Sequence, residues 1–440
     1  MATYNSAGSG NFNVDATWTE TGHPSTGDTA VIASGHTVTM TADDAVGSID
    51  IQGTLTTDGT ARTLTLDANA QGYICEHRGT VSTTINLVIN SDFAGDKLIR
   101  LNNGGNGNFN NVNITLQSTS RKLTIGTEAA SIDGDLTITQ GIFDTDSSNN
   151  YAITVTGDIS VVGTLIGNTS AISSRKLTTT GTLNGGNFTV TGSGLGNTTR
   201  TIDLGGTVTG NVDITLTGAG NNRHEDLQAS GNIRNLTINN AAAVIHTGRN
   251  TTIDGDLTIT AGTLSTDDGG TSVDLTVAGD ASVTGTLTGN ASAISLGSLT
   301  IASGGTYSAT SGTTTITSET SGGYAIDHDG TFTHNNGTVL ITTPATTLLD
   351  LLATGNLYNL TINHASCVAR IVSHSTIDND VTVTAGTLNT AYDVNVTVTG
   401  DVSVSGTFGL AEESGAHSFG SLTIESGGTH IATSGTTTIT

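Results

Sequence analysis

The sequence predicts an all-β chain, a parallel β-helix (β-solenoid) with an N-terminal cap and tandem copies of about 120 residues. The first observation is one phrase said three times. Ile132-Asp133-Gly134-Asp135-Leu136-Thr137-Ile138-Thr139 returns as Ile253-Asp254-Gly255-Asp256-Leu257-Thr258-Ile259-Thr260 and as Ile377-Asp378-Asn379-Asp380-Val381-Thr382-Val383-Thr384. The offsets are 253 − 132 = 121 and 377 − 253 = 124 residues. The second observation is composition. With 12% charged, 4% aromatic, 2 Pro and 58 Gly in 440 residues, the chain cannot fill several thick cores, but its 34% hydrophobic residues can fill a thin, lengthened one. The third is a finer step: Leu257-Thr258-Ile259, Leu275-Thr276-Val277 and Leu299-Thr300-Ile301 begin 275 − 257 = 18 and 299 − 275 = 24 residues apart. That is the length of one coil of short strands and turns, with alternate residues pointing inward.

Taken in order, residues 1–35 form the expected cap and attachment segment. They hold the only Trp, Trp18, with Pro24, Gly27-Asp28 and the start of a short alternating strand, a combination suited to covering the exposed end of a β-stack. Residues 36–130 read as a first solenoid section, with strands such as Ser48-Ile49-Asp50-Ile51 and Arg62-Thr63-Leu64-Thr65-Leu66 between Gly, Asn and Asp turns. Residues 131–251 and 252–375 are two repeat copies, and 376–440 a partial third. Asn232-Ile233-Arg234-Asn235-Leu236-Thr237-Ile238-Asn239 recurs at Asn356–Asn363, and the Ser-Gly-Thr-Thr-Thr-Ile-Thr that ends at Thr317 recurs ending at Thr440. The chain stops there in mid-repeat on an apolar strand, so a longer natural chain is expected. A string of separate sandwiches of this length is disfavoured, because no buried Trp or Cys pair recurs in each copy. At roughly 20 residues and ~4.8 Å per coil, 440 residues would extend about 100 Å.

The net charge is 13 − 38 = −25. Such acidity excludes nucleic acid as the ordinary partner and disfavours docking on an anionic membrane, while it keeps a long β protein soluble. No apolar run approaches a membrane span, so no membrane insertion is expected. Cys75 and Cys367 stand 367 − 75 = 292 residues apart along the chain, many coils from one another, and read as two small buried hydrophobes. The N-terminus has no basic and apolar leader pattern, from which no export is expected.

Chemistry is sparse. Asp133 and Asp135, Asp254 and Asp256, and Asp378 and Asp380 are the candidate metal ligands, because two carboxylates flanking a small residue can present oxygens to calcium. Tight turns demand the same residue types, calcium needs six to eight oxygens, and no Glu stands in register, so the turn reading is preferred. Asp327-His328-Asp329 with His334 could hold a transition metal or act as an acid–base cluster. His224-Glu225-Asp226 and Cys75-Glu76-His77-Arg78 are similar polar clusters outside the repeated phrases, where a solenoid usually carries its specific contacts. No nucleophile elbow, phosphate-cradling loop or paired Cys-x-x-Cys occurs, and no catalytic residue or cofactor is assigned.

The pattern Trp18, Pro24, Gly27-Asp28, Val31-Ile32, Gly35-His36, Val38-Thr39, followed by Thr- and Gly-rich coils, resembles the repetitive β-helical structural proteins of tailed bacteriophages: tail fibres, tailspikes and capsid fibres. It is also similar to repetitive bacterial surface adhesins. The resemblance implies a non-enzymatic virion fibre, located on the virion. Such a fibre would present an element to a host-surface glycan or receptor and would be a homotrimer. Its attachment to other virion proteins is expected at Trp18, Pro24 and Asp28, because the N-terminal segment alone departs from the repeat. A secreted adhesin is the first alternative. A polysaccharide depolymerase on the same scaffold, using Asp327 or Asp329, is the second.

Overall fold

The structure, a computed structural model, describes residues 2–67, 72–93, 95–102, 106–195, 199–218, 223–227, 229–351, 355–410 and 413–440. The chain divides into two compact units. One comprises Met1–Gly194, Arg200–Thr215 and Ala229–Gly231; the other comprises Leu195–Thr199, Leu216–Gln228 and Asn232–Thr440. Both are parallel stacked coils, so the fold class is the β-solenoid that the sequence predicts.

In the first unit a coil has three short strands. Thr29–Ile32, Thr37–Met40 and Asp44–Val46 make one coil, and Ser48–Ile51, Thr54–Thr57 and Arg62–Leu66 make the next. Each strand pairs in parallel with its counterpart: Thr29 with Ser48, Thr37 with Thr54, Asp44 with Leu64. The reason lies in the alternation. Thr37-Val38-Thr39-Met40 buries Val38 and Met40 completely and turns its threonines outward. Stacking then places like on like. Leu64, Leu87, Val112, Leu136, Ile159, Leu177 and Ile202 pair in succession. Each is buried in one aliphatic column, worth about 1.5–3 kcal/mol per side chain removed from water.

The first 35 residues join this stack. Thr3–Asn5 pairs in parallel with Thr29–Ile32, and Gly10–Asn11 with Thr37–Met40. After Gly10–Asn11 a 3₁₀ turn, Asp15–Thr17, leads into Trp18, which packs edge-on to Phe12 at 5.3 Å.

In the second unit the strands lengthen and bend round corners. Asn235–Thr247 and Asn359–Ile371, 124 residues apart, show the same succession of buried and exposed positions. Coil length varies from 299 − 281 = 18 residues, between Ala281 and Leu299, to 326 − 299 = 27, between Leu299 and Ile326. The corners absorb the difference while the paired strands keep register. One column runs Ile259, Val283, Ile301 and then His328.

Candidate functional site

The repeated Asp-Gly-Asp phrase builds a ladder between coils. Its second aspartate accepts at Oδ1 a backbone N–H from the following coil: Asp135 from Asp158 at 2.8 Å, Asp256 from Asp280 at 2.9 Å, Asp380 from Asp401 at 2.8 Å. The aspartate's own N–H goes back to an asparagine Oδ1 on the preceding coil, Asn111, Asn235 or Asn359. The upper end is closed by Arg175 Nε on Asp158, by Ser298 Oγ on Asp280 and by Ser421 Oγ on Asp401, each at 2.7 Å. The first aspartate of each phrase accepts an asparagine amide at 2.8 Å: Asp133 from Asn108, Asp254 from Asn232, Asp378 from Asn356.

Glycine is required where these rungs pass. A Cβ on Gly157, Gly279 or Gly400 would lie 2.2, 2.2 or 2.4 Å from the Asp135, Asp256 or Asp380 Oδ1. At the middle of the phrase, a Cβ on Gly134 or Gly255 would stand 2.3 Å from the Asn111 or Asn235 Oδ1. The third copy has Asn379 there. Its amide donates to Asn359 Oδ1 at 2.9 Å, and the neighbouring rung from Asp380 N–H lengthens to 3.2 Å, against 2.8 Å in the other copies. Among the described residues, no three His, Cys, Asp or Glu side chains gather as a metal site.

The other sequence clusters are separated by strand alternation. His328 is buried edge-on to Phe332 at 5.9 Å, and burial holds its pKa below the ordinary value. Asp327 and Asp329 project outward on either side of it. Asp327 pairs in register with Asp350, and burial together with the Asp329 and Asp350 charges raises its pKa. His334 leaves the cluster altogether: it stacks on Tyr358 at 5.1 Å and places Nε2 3.4 Å from Asp378 Oδ2.

Cys75 and His77 likewise face the core while Glu76 and Arg78 pair outside, with Asp50 3.5 Å from Arg78. Glu225 and Asp226 are buried, Asp226 against Arg249 at 3.1 Å; the His224 side chain lies outside the described residues. In the N-terminal segment Trp18 is 4% exposed, and its Nε1 donates to the Phe12 carbonyl at 2.7 Å. Pro24 is buried. Asp28 accepts the Ala2 N–H at 2.8 Å, which is the main reason its pKa is lowered.

A site the sequence reading did not find lies at a corner of the coils. At three steps a left-handed asparagine turns its side-chain amide back onto the coil before it. Asn168 (φ 52°) donates to Asp144 Oδ1 at 2.9 Å and Thr145 Oγ1 at 3.0 Å. Asn290 (φ 50°) donates to Ser265 Oγ at 3.0 Å. Asn335 (φ 48°) donates to Ser308 Oγ at 3.0 Å and the Ala309 carbonyl at 2.7 Å. Each stands three residues past a stacked apolar pair: Phe143–Leu165, Leu264–Leu287 and Tyr307–Phe332.

At the corresponding step of the third copy the pair is Leu388–Phe408, and the residues at 411–412 lie outside the described residues. Here Asn389 and Thr390 are buried. Glu413, 1% exposed, accepts the Thr390 N–H at 2.6 Å through Oε1, and burial raises its pKa. A cleft of about 50 Å³ opens beside them, lined by Arg370, Thr390, Tyr392, Leu410 and Glu413. The buried Thr390 and Glu413 form its floor; Tyr392, 75% exposed, and Leu410, 38% exposed, form its rim.

Comparison with family models, with curated proteins and with solved structures returned no match to this chain.

Proposed function

We propose that the chain is a non-enzymatic structural fibre of a phage virion, a β-solenoid that spaces or presents a host-attachment element. The observation that carries this reading is the use made of the repeated carboxylates. Asp135, Asp256 and Asp380 each accept a backbone N–H from the next coil, so the most repeated polar phrase in the chain is a device for stacking. Aliphatic columns inside and hydrogen-bonded ladders outside make each coil a template for its neighbour, which suits a spacer. The resemblance of residues 14–40 to phage fibre proteins supplies the setting, with the N-terminal segment as the end that meets other virion proteins.

The test is electron cryo-microscopy of the native assembly with an antibody against this chain. A β-rod projecting from a capsid or tail is the expected result; labelling of cell surfaces or free filaments would transfer the reading to an adhesin. A depolymerase reading draws on one observation, the raised pKa of Asp327 beside Asp350 and Asp329. Cleavage of a host glycan that is lost in Asp327→Asn would establish it.

A further inference from the structure

We propose that His77 and His328 are acid-sensitive catches, one in each unit, at which neighbouring coils part when the imidazole takes up a proton. The two residues occupy the same place in one recurring phrase. Gly72-Tyr73-Ile74-Cys75-Glu76-His77-Arg78-Gly79-Thr80 returns as Gly323-Tyr324-Ala325-Ile326-Asp327-His328-Asp329-Gly330-Thr331, 323 − 72 = 251 residues on. The opening glycines turn alike, with φ of 82° and 83°, and the strands Tyr73–His77 and Tyr324–His328 bury the same positions. In each strand the histidine is the last inward residue before a Gly-Thr corner.

Each imidazole interrupts an aliphatic column. His77 follows Ile32 and Ile51, and His328 follows Ile259, Val283 and Ile301. The residues are 0% and 2% exposed, and their rings stand edge-on to Phe109 at 6.0 Å and to Phe332 at 5.9 Å. The corners beside them close tightly on the coil before. A Cβ on Gly79 would lie 1.9 Å from the Gly53 carbonyl oxygen, and one on Gly330 2.5 Å from that of Gly305. A neutral ring packs there as an apolar plate, whereas an imidazolium must be solvated, and water reaches it only if the coils separate. Among the described residues the charged neighbours lie outside the core. Asp50, Glu76, Arg78 and the Arg100–Glu128 pair flank His77, with Lys97 at the start of the strand stacked on it and Cys75 beside it in the core. Asp327, Asp329 and Asp350 flank His328, with the buried Tyr307 beyond Phe332. Burial holds both imidazoles below the ordinary 6.5, against the pull of the Leu101 and Gly79 backbone on His77 and of the Gly330 backbone and the Asp350 and Asp329 charges on His328. Above 6.5 both rings are neutral whether the coil is closed or open. Below it the opened coil takes the proton first, so closure weakens as pH falls toward the folded pKa.

The inference concerns the isolated chain and does not depend on the assembly in which it works. The test is amide hydrogen exchange, read by mass spectrometry on the full chain at pH 7 and pH 5 and corrected for the intrinsic pH dependence of exchange. Protection over 73–81 and 324–333 is expected to fall about tenfold between the two, since a group that protonates only on opening lowers protection by up to about tenfold per pH unit. The strands Asp158–Val161 and Leu275–Val283, which end on aliphatic residues, should keep theirs. His77→Ile and His328→Ile copy Ile51 and Ile301 of the coil before, and each should abolish the response in its own segment alone. His77→Gln and His328→Gln, neutral at both pH values, should do the same where isoleucine disturbs the corner. An acid response equal in parent and variants, or none in the parent, would overturn the proposal.

Discussion

Asp256 accepts at Oδ1 the backbone N–H of Asp280, 24 residues further along the chain and one coil on, at 2.9 Å. Asp280 in turn accepts the hydroxyl of Ser298 at 2.7 Å. A carboxylate that bonds a main-chain N–H fixes both the register and the identity of the corner, since charge-assisted bonds of this kind are the stronger ones. The same relationship recurs at Asp135–Asp158 and Asp380–Asp401, so its energetic effect can be measured three times in one chain.

Asp256→Ala removes the acceptor and is expected to destabilise its unit by about 1 kcal/mol, whereas Asp256→Asn keeps an oxygen in place and should cost less. Hydrogen exchange at the Asp280 amide is the sharper readout. Faster exchange in the alanine variant and near-parental exchange in the asparagine variant are expected; no change in the alanine variant would show that the rung is dispensable.

Gly279→Ala tests the close approach. Its Cβ would meet Asp256 Oδ1 at 2.2 Å and the Gly255 carbonyl at 2.7 Å. The carboxylate can swing away, but the backbone carbonyl cannot, so a loss of about 1–3 kcal/mol is expected in chemical unfolding. Gly269→Ala offers a contrast, since nothing lies within 4 Å of a Cβ there and only its φ of +58° opposes the change.

Two buried groups make the stability of the C-terminal coils depend on pH in opposite senses. His417 is 1% exposed, neither ring nitrogen has a hydrogen-bond partner among the described residues, and burial holds its pKa below the ordinary 6.5. Above 6.5 the imidazole is neutral in folded and unfolded chains alike, and it does not affect their balance. As pH falls below that value the unfolded chain takes up the proton first, and stability drops until the folded pKa is passed. Glu413 acts oppositely, because burial raises its pKa above 4.5: stability is full below that value and declines as pH rises through the interval up to the folded pKa. Amide exchange across the described residues 413–440 at pH 7 and pH 5 reads the sum. His417→Ile, which copies Ile294 of the preceding copy, should remove the acid-side loss, and Glu413→Gln should raise stability above pH 4.5. An unaltered pH profile in both variants would contradict the assignment.

The two thiols should be silent. Cys75 and Cys367 are free and buried; burial raises the Cys75 thiol strongly and pushes Cys367 up to about 11. At neutral pH the Cys367 thiolate is then a fraction on the order of 10⁻⁴, and iodoacetamide should modify neither residue until the chain unfolds. Rapid labelling of the folded protein, read by mass spectrometry, would show that one of these coils opens.

The sequence by itself determined the architecture. A phrase repeated at 121 and 124 residues, strands that alternate threonine with Val, Ile or Leu, and a composition too poor in aromatics for thick cores leave little besides a stack of thin coils. Alternation alone would also have separated His328 from Asp327 and Asp329, because neighbours in a strand face opposite ways. What only the tertiary structure decided is which residues lie one coil apart. In the second unit coil length varies from 18 to 27 residues, so no fixed offset read from the chain says that Asp256 meets Asp280 or that His334 meets Asp378. The physical reason is that paired strands hold register strictly while corners accept insertions at small entropic cost. The Asp135, Asp256 and Asp380 rungs lie beside those corners.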